Sequence, residues 1–238
     1  MRILAFETSA KAGSVAAMEN GALVAESYCN TGLTHSQTLM CMAEEVLQKC
    51  GWSVTDIEAV AVAAGPGSFT GVRIGVAAAK GLAWGREISC FGVSTLESMA
   101  RQLGAFDGYI LPVMDARRGQ VYNALFSVNG GEISRLREDR AISLEDLEKD
   151  VKILEKPIFL VGDGSILCYN ALKDQVPNLV LPPEHRMHQR ASGVALAAWA
   201  AKEAGQSGDA AALEPNYLRL SQAERERMEK EKSLQGTN

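Results

Sequence analysis

Residues 57–64 read IEAVAVAA, an apolar run that does not alternate. A strand with one wet face alternates polar and apolar side chains; a run like this one belongs to a strand covered on both sides. It is closed by GPGSFTG (residues 65–71), where glycine lets the backbone turn sharply, and a helical pattern follows to about Trp84. Strand, glycine turn and helix make one step of a layered α/β fold, and the rest of the chain has to supply its neighbours.

Upstream, residues 3–8, 14–18 and 22–28 read as three strands. The first two are joined by a polar turn and the last two by Asn20-Gly21, a hairpin signal. A helix then runs from a cap at Thr34 to Cys50 and stops at Gly51. Leu39, Ala43, Val46 and Cys50 form its stripe, and Met42 lies off it as a second apolar face. Downstream come a strand at 88–93 and a helix at 94–103 capped by Ser94 or Thr95. Three strands, helix, strand, helix, strand, helix is the order of the RNase-H-like unit, which is duplicated in actin-like ATPases and sugar kinases.

After residues 104–108 the pattern restarts. Strands are expected at 109–114, 120–128, 132–136 and 157–161, a short helix at 143–151, and an alanine-rich helix at 191–204. The expected fold is α/β, of the actin-like and sugar-kinase-like (ASKHA, RNase-H-like) type, with two tandem domains of mixed sheets. The domains are expected at residues 1–106 and 107–220. Residues 221–238 alternate Arg and Lys with Glu and read as a charged, disordered tail.

Composition narrows the function. With 24 basic and 29 acidic residues the net charge is −5, so a chain that grips a polyanion alone is disfavoured. No apolar run reaches the roughly 20 residues of a membrane span. The N-terminal apolar stretch is too short for a signal peptide. Five scattered cysteines without a C-x-x-C pair read as reduced thiols. A cytoplasmic protein without membrane contact is expected.

Several segments could carry chemistry. The 65–71 loop reads as a phosphate loop or as a turn for close packing, and it lacks the G-x-x-x-x-G-K-[ST] pattern. Gly71, Gly75 and Ala79 recur every four residues, a smooth stripe suited to a partner helix, with Val72 and Val76 beside it. The turn Glu7-Thr8-Ser9-Ala10-Lys11 occupies the place where actin-like ATPases hold a phosphate, but those enzymes use aspartate followed by glycine. A degraded phosphate loop of Thr8, Ser9, Lys11, Gly65, Gly67 and Ser68 and a plain polar turn are equally open. Asp115 is either a cleft acid or the partner of Arg117 and Arg118 in an ion pair fixing its turn, the latter preferred. His185 and His188 read as solvated, and His35 as a capping or contact residue rather than a base. No Ser-His-Asp or Cys-His set assembles.

ILAFETS (3–9), GPGSFTGVRIG (65–75), MDARRGQVY (114–122) and EPNYLR (214–219) together resemble the bacterial TsaB (YeaZ) family. The resemblance implies a part in making N6-threonylcarbamoyladenosine (t6A) at position 37 of tRNAs that read ANN codons. A TsaC-type enzyme makes threonylcarbamoyl-adenylate, and the paralogous TsaD transfers the group. The TsaB-type chain pairs with TsaD, and a TsaE-type ATPase joins them. The TsaD His-x-x-x-His metal pair falls on Ser94 and Ser98 here, and a third ligand near Asp163 cannot hold an ion alone. No metal site, no catalytic residue and no transferase activity are expected of this chain by itself. A metalloprotease is disfavoured on the same ground. An autonomous ATP-dependent small-molecule kinase is the alternative.

The resemblance also implies a helix-mediated dimer, with a TsaD-type paralogue or, when alone, with a second copy. His35, Leu39, Met42, Val46, Gly71, Val72, Gly75, Val76 and Ala79 are the expected interface. No tightly bound cofactor is expected, ATP or ADP at the complex junction is left open, and tRNA is met only through the complex.

Overall fold

The computed structural model describes residues 1–86, 88–104 and 106–219; the charged 221–238 segment lies outside them. The first sheet is built from β1 (Arg2–Glu7), β2 (Gly13–Glu19), β3 (Ala22–Cys29), β4 (Ala59–Gly65) and β5 (Ser89–Ser94), in the order β3-β2-β1-β4-β5. The β1–β2–β3 meander is antiparallel, and β4 and β5 join parallel to β1. The second sheet repeats this with β6 (Gly108–Arg117), β7 (Gln120–Asn129), β8 (Glu132–Ser143), β9 (Ile158–Val161) and β10 (Leu179–Val180), ordered β10-β9-β6-β7-β8. The antiparallel meander and the parallel additions recur strand for strand.

The unalternated β4 is buried along its whole length, because helices cover both faces of its sheet. On one face α1 (His35–Cys50) and α2 (Phe69–Ala83) pack on Leu4, Phe6, Val15, Val60 and Val62. On the other, α6 (Ala191–Glu203) packs on Ile3, Ala5, Ala16, Ala59 and Ala61. Between the sheets lies α3 (Thr95–Leu103), its Leu96, Met99 and Leu103 against Ile110, Met114 and Phe126. α4 (Leu144–Val151) and α5 (Ser165–Leu172) cover the far face of the second sheet.

The expected division at residue 106 separates the two sheets but not the packing. α6 follows the second sheet in sequence and returns to the first, where its alanines let it lie flat on a sheet face rich in alanine. Gly193 backs directly onto the Ser98 carbonyl, so α6 and α3 touch backbone to backbone. Leu213 enters the first core from beyond α6.

Three local readings change. Thr34 stands at the N-cap of α1 with no side-chain bond to the helix. Met42 shares the core with Leu39 and Val46, so α1 has one apolar face rather than two. β8 runs to Ser143 instead of 136, since its half-buried stretch is held by charges: Arg135 binds both Glu97 and Asp139. α5 and β10 had no sequence signal, α5 being short and uncapped by any side chain. The five cysteines are free thiols, as read.

The fold predicts opposite effects for two glycines of α2. A Cβ at Gly71 would run into the Thr8 carbonyl oxygen, whereas Gly81 faces open space. Gly71→Ala should destabilise by about 1–3 kcal/mol, and Gly81→Ala should be neutral or stabilise by up to about 1 kcal/mol. Urea unfolding midpoints check this; equal shifts for the two variants would refute the close-packing role of Gly71.

Candidate functional site

The two sheets face each other across a cleft of about 550 Å³. Its walls are the β1–β2 turn (Ser9, Ala10, Lys11), the start of α2 with the loop before it (Gly67–Thr70), the β6–β7 hairpin (Met114–Arg117), Asp163 after β9, and Arg219.

The first wall owes its shape to glycine. Cβ atoms at Gly67 and Gly75 would lie 2.5 Å from the Ser9 carbonyl oxygen and the Thr8 Oγ1, and one at Gly71 would strike the Thr8 carbonyl. With hydrogen in those places α2 rests on the turn, and hydrogen bonds fasten it. Thr8 Oγ1 donates to the Gly71 carbonyl at 2.8 Å, and Ser68 N donates to the Ser9 carbonyl at 2.7 Å. Ser68 Oγ caps α2 by accepting from Gly71 N. His35 Nε2 donates to the Ala10 carbonyl at 2.8 Å, tying α1 to the same turn, which is the contact role read for it.

The second wall is the tip of the β6–β7 hairpin, where Arg117 and Arg118 both take left-handed backbone (φ 63° and 57°). Asp115 Oδ1 accepts from Arg117 N at 2.7 Å. The turn is therefore fixed by a carboxylate on a backbone amide, and the expected Asp–Arg ion pair is not what fixes it. A C-terminal strap clamps the two walls together. Asn216 N donates to the Ala64 carbonyl, Tyr217 stacks on Phe69 with ring centroids 4.4 Å apart, and Arg219 donates to the Ala116 carbonyl.

Asp115 and Asp163 make the cleft floor acidic, and a third acid lies buried at the end of β1. Glu7 is fully buried; its Oε1 accepts from Ser9 N at 2.6 Å and its Oε2 has no partner. Burial pushes its carboxyl up to about 7, opposed by hydrogen bonds from Ser9 and helped by the charge of Asp163. Asp163 is open to water on the cleft side and walled by protein elsewhere. That desolvation raises its proton affinity, opposed by the bond from Gln189 and helped by Asp115. The charge of Asp163, which follows β9 in the second sheet, thus bears on Glu7 at the end of β1 in the first.

The predicted residues divide. Thr8, Ser9, Lys11, Gly67 and Ser68 come together at the cleft, with Gly65 behind them against the Asn216 backbone. Two amides that could bind a phosphate, Ser9 N and Arg117 N, are each taken by a carboxylate of this chain. Leu39, Met42, Val46, Gly71, Val72, Gly75, Val76 and Ala79 are all buried inside the first domain's own core. The spare apolar surface expected on them is not there, because the stripe that reads as sticky is the one facing the sheet. The outward faces of the two helices instead show Met40 and Cys41 on α1 and Ala77 and Gly81 on α2, with Trp84, 82% exposed, just beyond α2. Ser94 and Ser98 have structural partners: Ser94 caps α3 and donates to Asp139, and Ser98 Oγ donates to the Thr95 carbonyl. Among the described residues no group of three or more His, Cys, Asp or Glu is placed to hold a metal ion. Sequence reasoning missed Glu7 as a buried acid, since a carboxylate ending an apolar strand carries no sign of whether water reaches it.

Duplicated mixed sheets around a cleft define an actin-like, sugar-kinase-like α/β protein. The family model described as TsaD, tRNA N6-adenosine threonylcarbamoyltransferase, matches residues 30–227. The tRNA threonylcarbamoyladenosine biosynthesis protein TsaB of Bacillus subtilis is 34% identical, with 98% of this chain and 100% of that protein aligned. TsaB of Escherichia coli is 41% identical over 60% of this chain and 62% of its own length. YeaZ from Pseudomonas aeruginosa superposes with a TM-score of 0.74 at 25% identity, over 91% of this chain and 100% of that one. The chain belongs to the TsaB (YeaZ) family of tRNA threonylcarbamoyladenosine biosynthesis proteins.

Glu7 sets a pH dependence. Its proton affinity is higher in the folded chain than its ordinary value of 4.5, so between about pH 4.5 and about 7 the folded state holds the extra proton. Stability then falls as pH rises through that window and levels off above it, a loss of about 2–4 kcal/mol. Glu7→Gln should remove this fall while keeping the acceptor for Ser9 N. Urea midpoints of both proteins across the window check it, and parallel curves would sink the assignment.

Proposed function

We propose that this chain is a non-catalytic subunit needed for t6A formation at position 37 of tRNAs reading ANN codons. It binds and activates a TsaD-type transferase together with a TsaE-type ATPase, in the cytoplasm. The observation that carries this is relatedness to TsaB over nearly the whole chain. Serines with structural partners at 94 and 98, where the transferase would carry its metal pair, support it. Serine is a poor metal ligand beside histidine or carboxylate.

The kinase reading has less support. The amides of Ser9 and Arg117 already hold carboxylates, and a nucleotide phosphate would have to displace both. A nucleotide at a subunit junction stays within the proposal.

The interface proposal moves to the outer faces of α1 and α2. Trp84, Met40 and the smooth surface left by Ala77 and Gly81 suit helix-to-helix contact with a TsaD-type paralogue, and with a second copy when the chain is alone. Ala77→Glu should leave the unfolding midpoint unchanged and abolish co-purification with the paralogue. Reconstituted tRNA modification with TsaD-type and TsaE-type partners should fall to background without this chain. Modification at full rate in its absence would refute the subunit reading.

A further inference from the structure

The rim of the cleft has the opposite character to its floor. Lys11, Arg117 and Arg219 line the opening; Arg118 is exposed next to Arg117 on the hairpin tip, and Arg73 is exposed on α2 beside Phe69, which also lines it. Among the described residues none of these five forms an ion pair, whereas Arg101, Arg135, Arg140 and Arg190 elsewhere are each matched to an acid. In a chain of net charge −5, unpaired cations gathered around one opening are a local anion-attracting field.

Beside them stands an aromatic platform. Phe69 and Tyr217 stack with an interplanar angle of 14°, and the Arg73 guanidinium lies 5.8 Å from the Phe69 ring centre and 5.5 Å from that of Tyr217. Arg73 Nε donates to the Tyr217 hydroxyl at 2.7 Å, so platform and charge are held as one unit, and Tyr217 is 38% exposed.

We infer that the cleft mouth is a contact surface for a single-stranded segment of RNA, with phosphates on the rim cations and a base on the Phe69–Tyr217 platform. Cations tracking a backbone beside a stacking aromatic are what such a strand needs. The floor argues against a free nucleoside polyphosphate. Ser9 N and Arg117 N hold the chain's own carboxylates, and Asp115 and Asp163 repel phosphate from the interior, leaving anions at the rim. The choice of RNA over DNA rests on the tRNA-modification reading; the surface itself does not.

The test is fluorescence anisotropy of the full chain at low salt, with a labelled short single-stranded RNA and the same sequence as a duplex. The single strand should bind more tightly, with affinity falling steeply as salt rises. The double variant Lys11→Gln, Arg118→Gln should weaken it about tenfold and lower the logarithmic salt slope by about 0.7 per cation removed. Phe69→Leu should weaken the single strand and not the salt slope. Lys152→Gln, at the exposed residue just after α4, should change nothing, and matching unfolding midpoints exclude misfolding. No binding at low salt, equal loss in Lys152→Gln, or displacement of the RNA by stoichiometric ADP would each overturn the inference. Modification that still requires the chain while RNA binding is absent overturns this inference alone and leaves the subunit reading standing.

Discussion

The structure depends on one close approach: α2 lying directly on the β1–β2 turn. Three hydrogens at Gly67, Gly71 and Gly75 make it possible, and Thr8 and Ser68 fasten it from the two sides. Everything at the cleft follows from that contact. It sets the first wall, brings the start of α2 beside Lys11, and leaves Phe69 where the strap can stack Tyr217 on it. A side chain at any of the three positions would push helix and turn apart and widen the cleft from its base.

Two turn amides at the cleft are already bonded within the chain. Where a nucleotide would need bare amides, the chain supplies Glu7 and Asp115 as internal acceptors. A buried carboxyl with one unpartnered oxygen is costly, and Glu7 meets that cost by holding a proton close to neutrality. Acid below and base around the rim give one opening two electrostatic zones. An acidic protein can in this way present a cationic edge without a cationic surface.

Much of this was legible in residues. Unalternated β4, the Asn20-Gly21 hairpin, the Ser94 cap and the restart after residue 104 marked both sheets and most helices. The Gly-Pro-Gly and Asp-Ala-Arg-Arg segments carried the family. The misses have physical causes. β8 looked too charged to extend because its inward residues pay for burial with ion pairs, Arg135 to Glu97 and Asp139. α5 carries no side-chain cap, and Asp115 binds an amide where an ion pair seemed natural.

By itself the sequence determined the order of elements, the duplication and the family, because periodicity and turn chemistry are local and survive in any correct fold. It also determined that residues 71, 75 and 79 share a smooth face. Only the tertiary structure decided what that face meets: Thr8 and Val62 of the same domain, not a partner helix. It alone returned α6 to the first sheet, buried Glu7 and brought Lys11, Arg117 and Arg219 from three distant segments to one mouth. A repeat states which side chains point together, while the neighbour across the gap is chosen by the path of the whole chain.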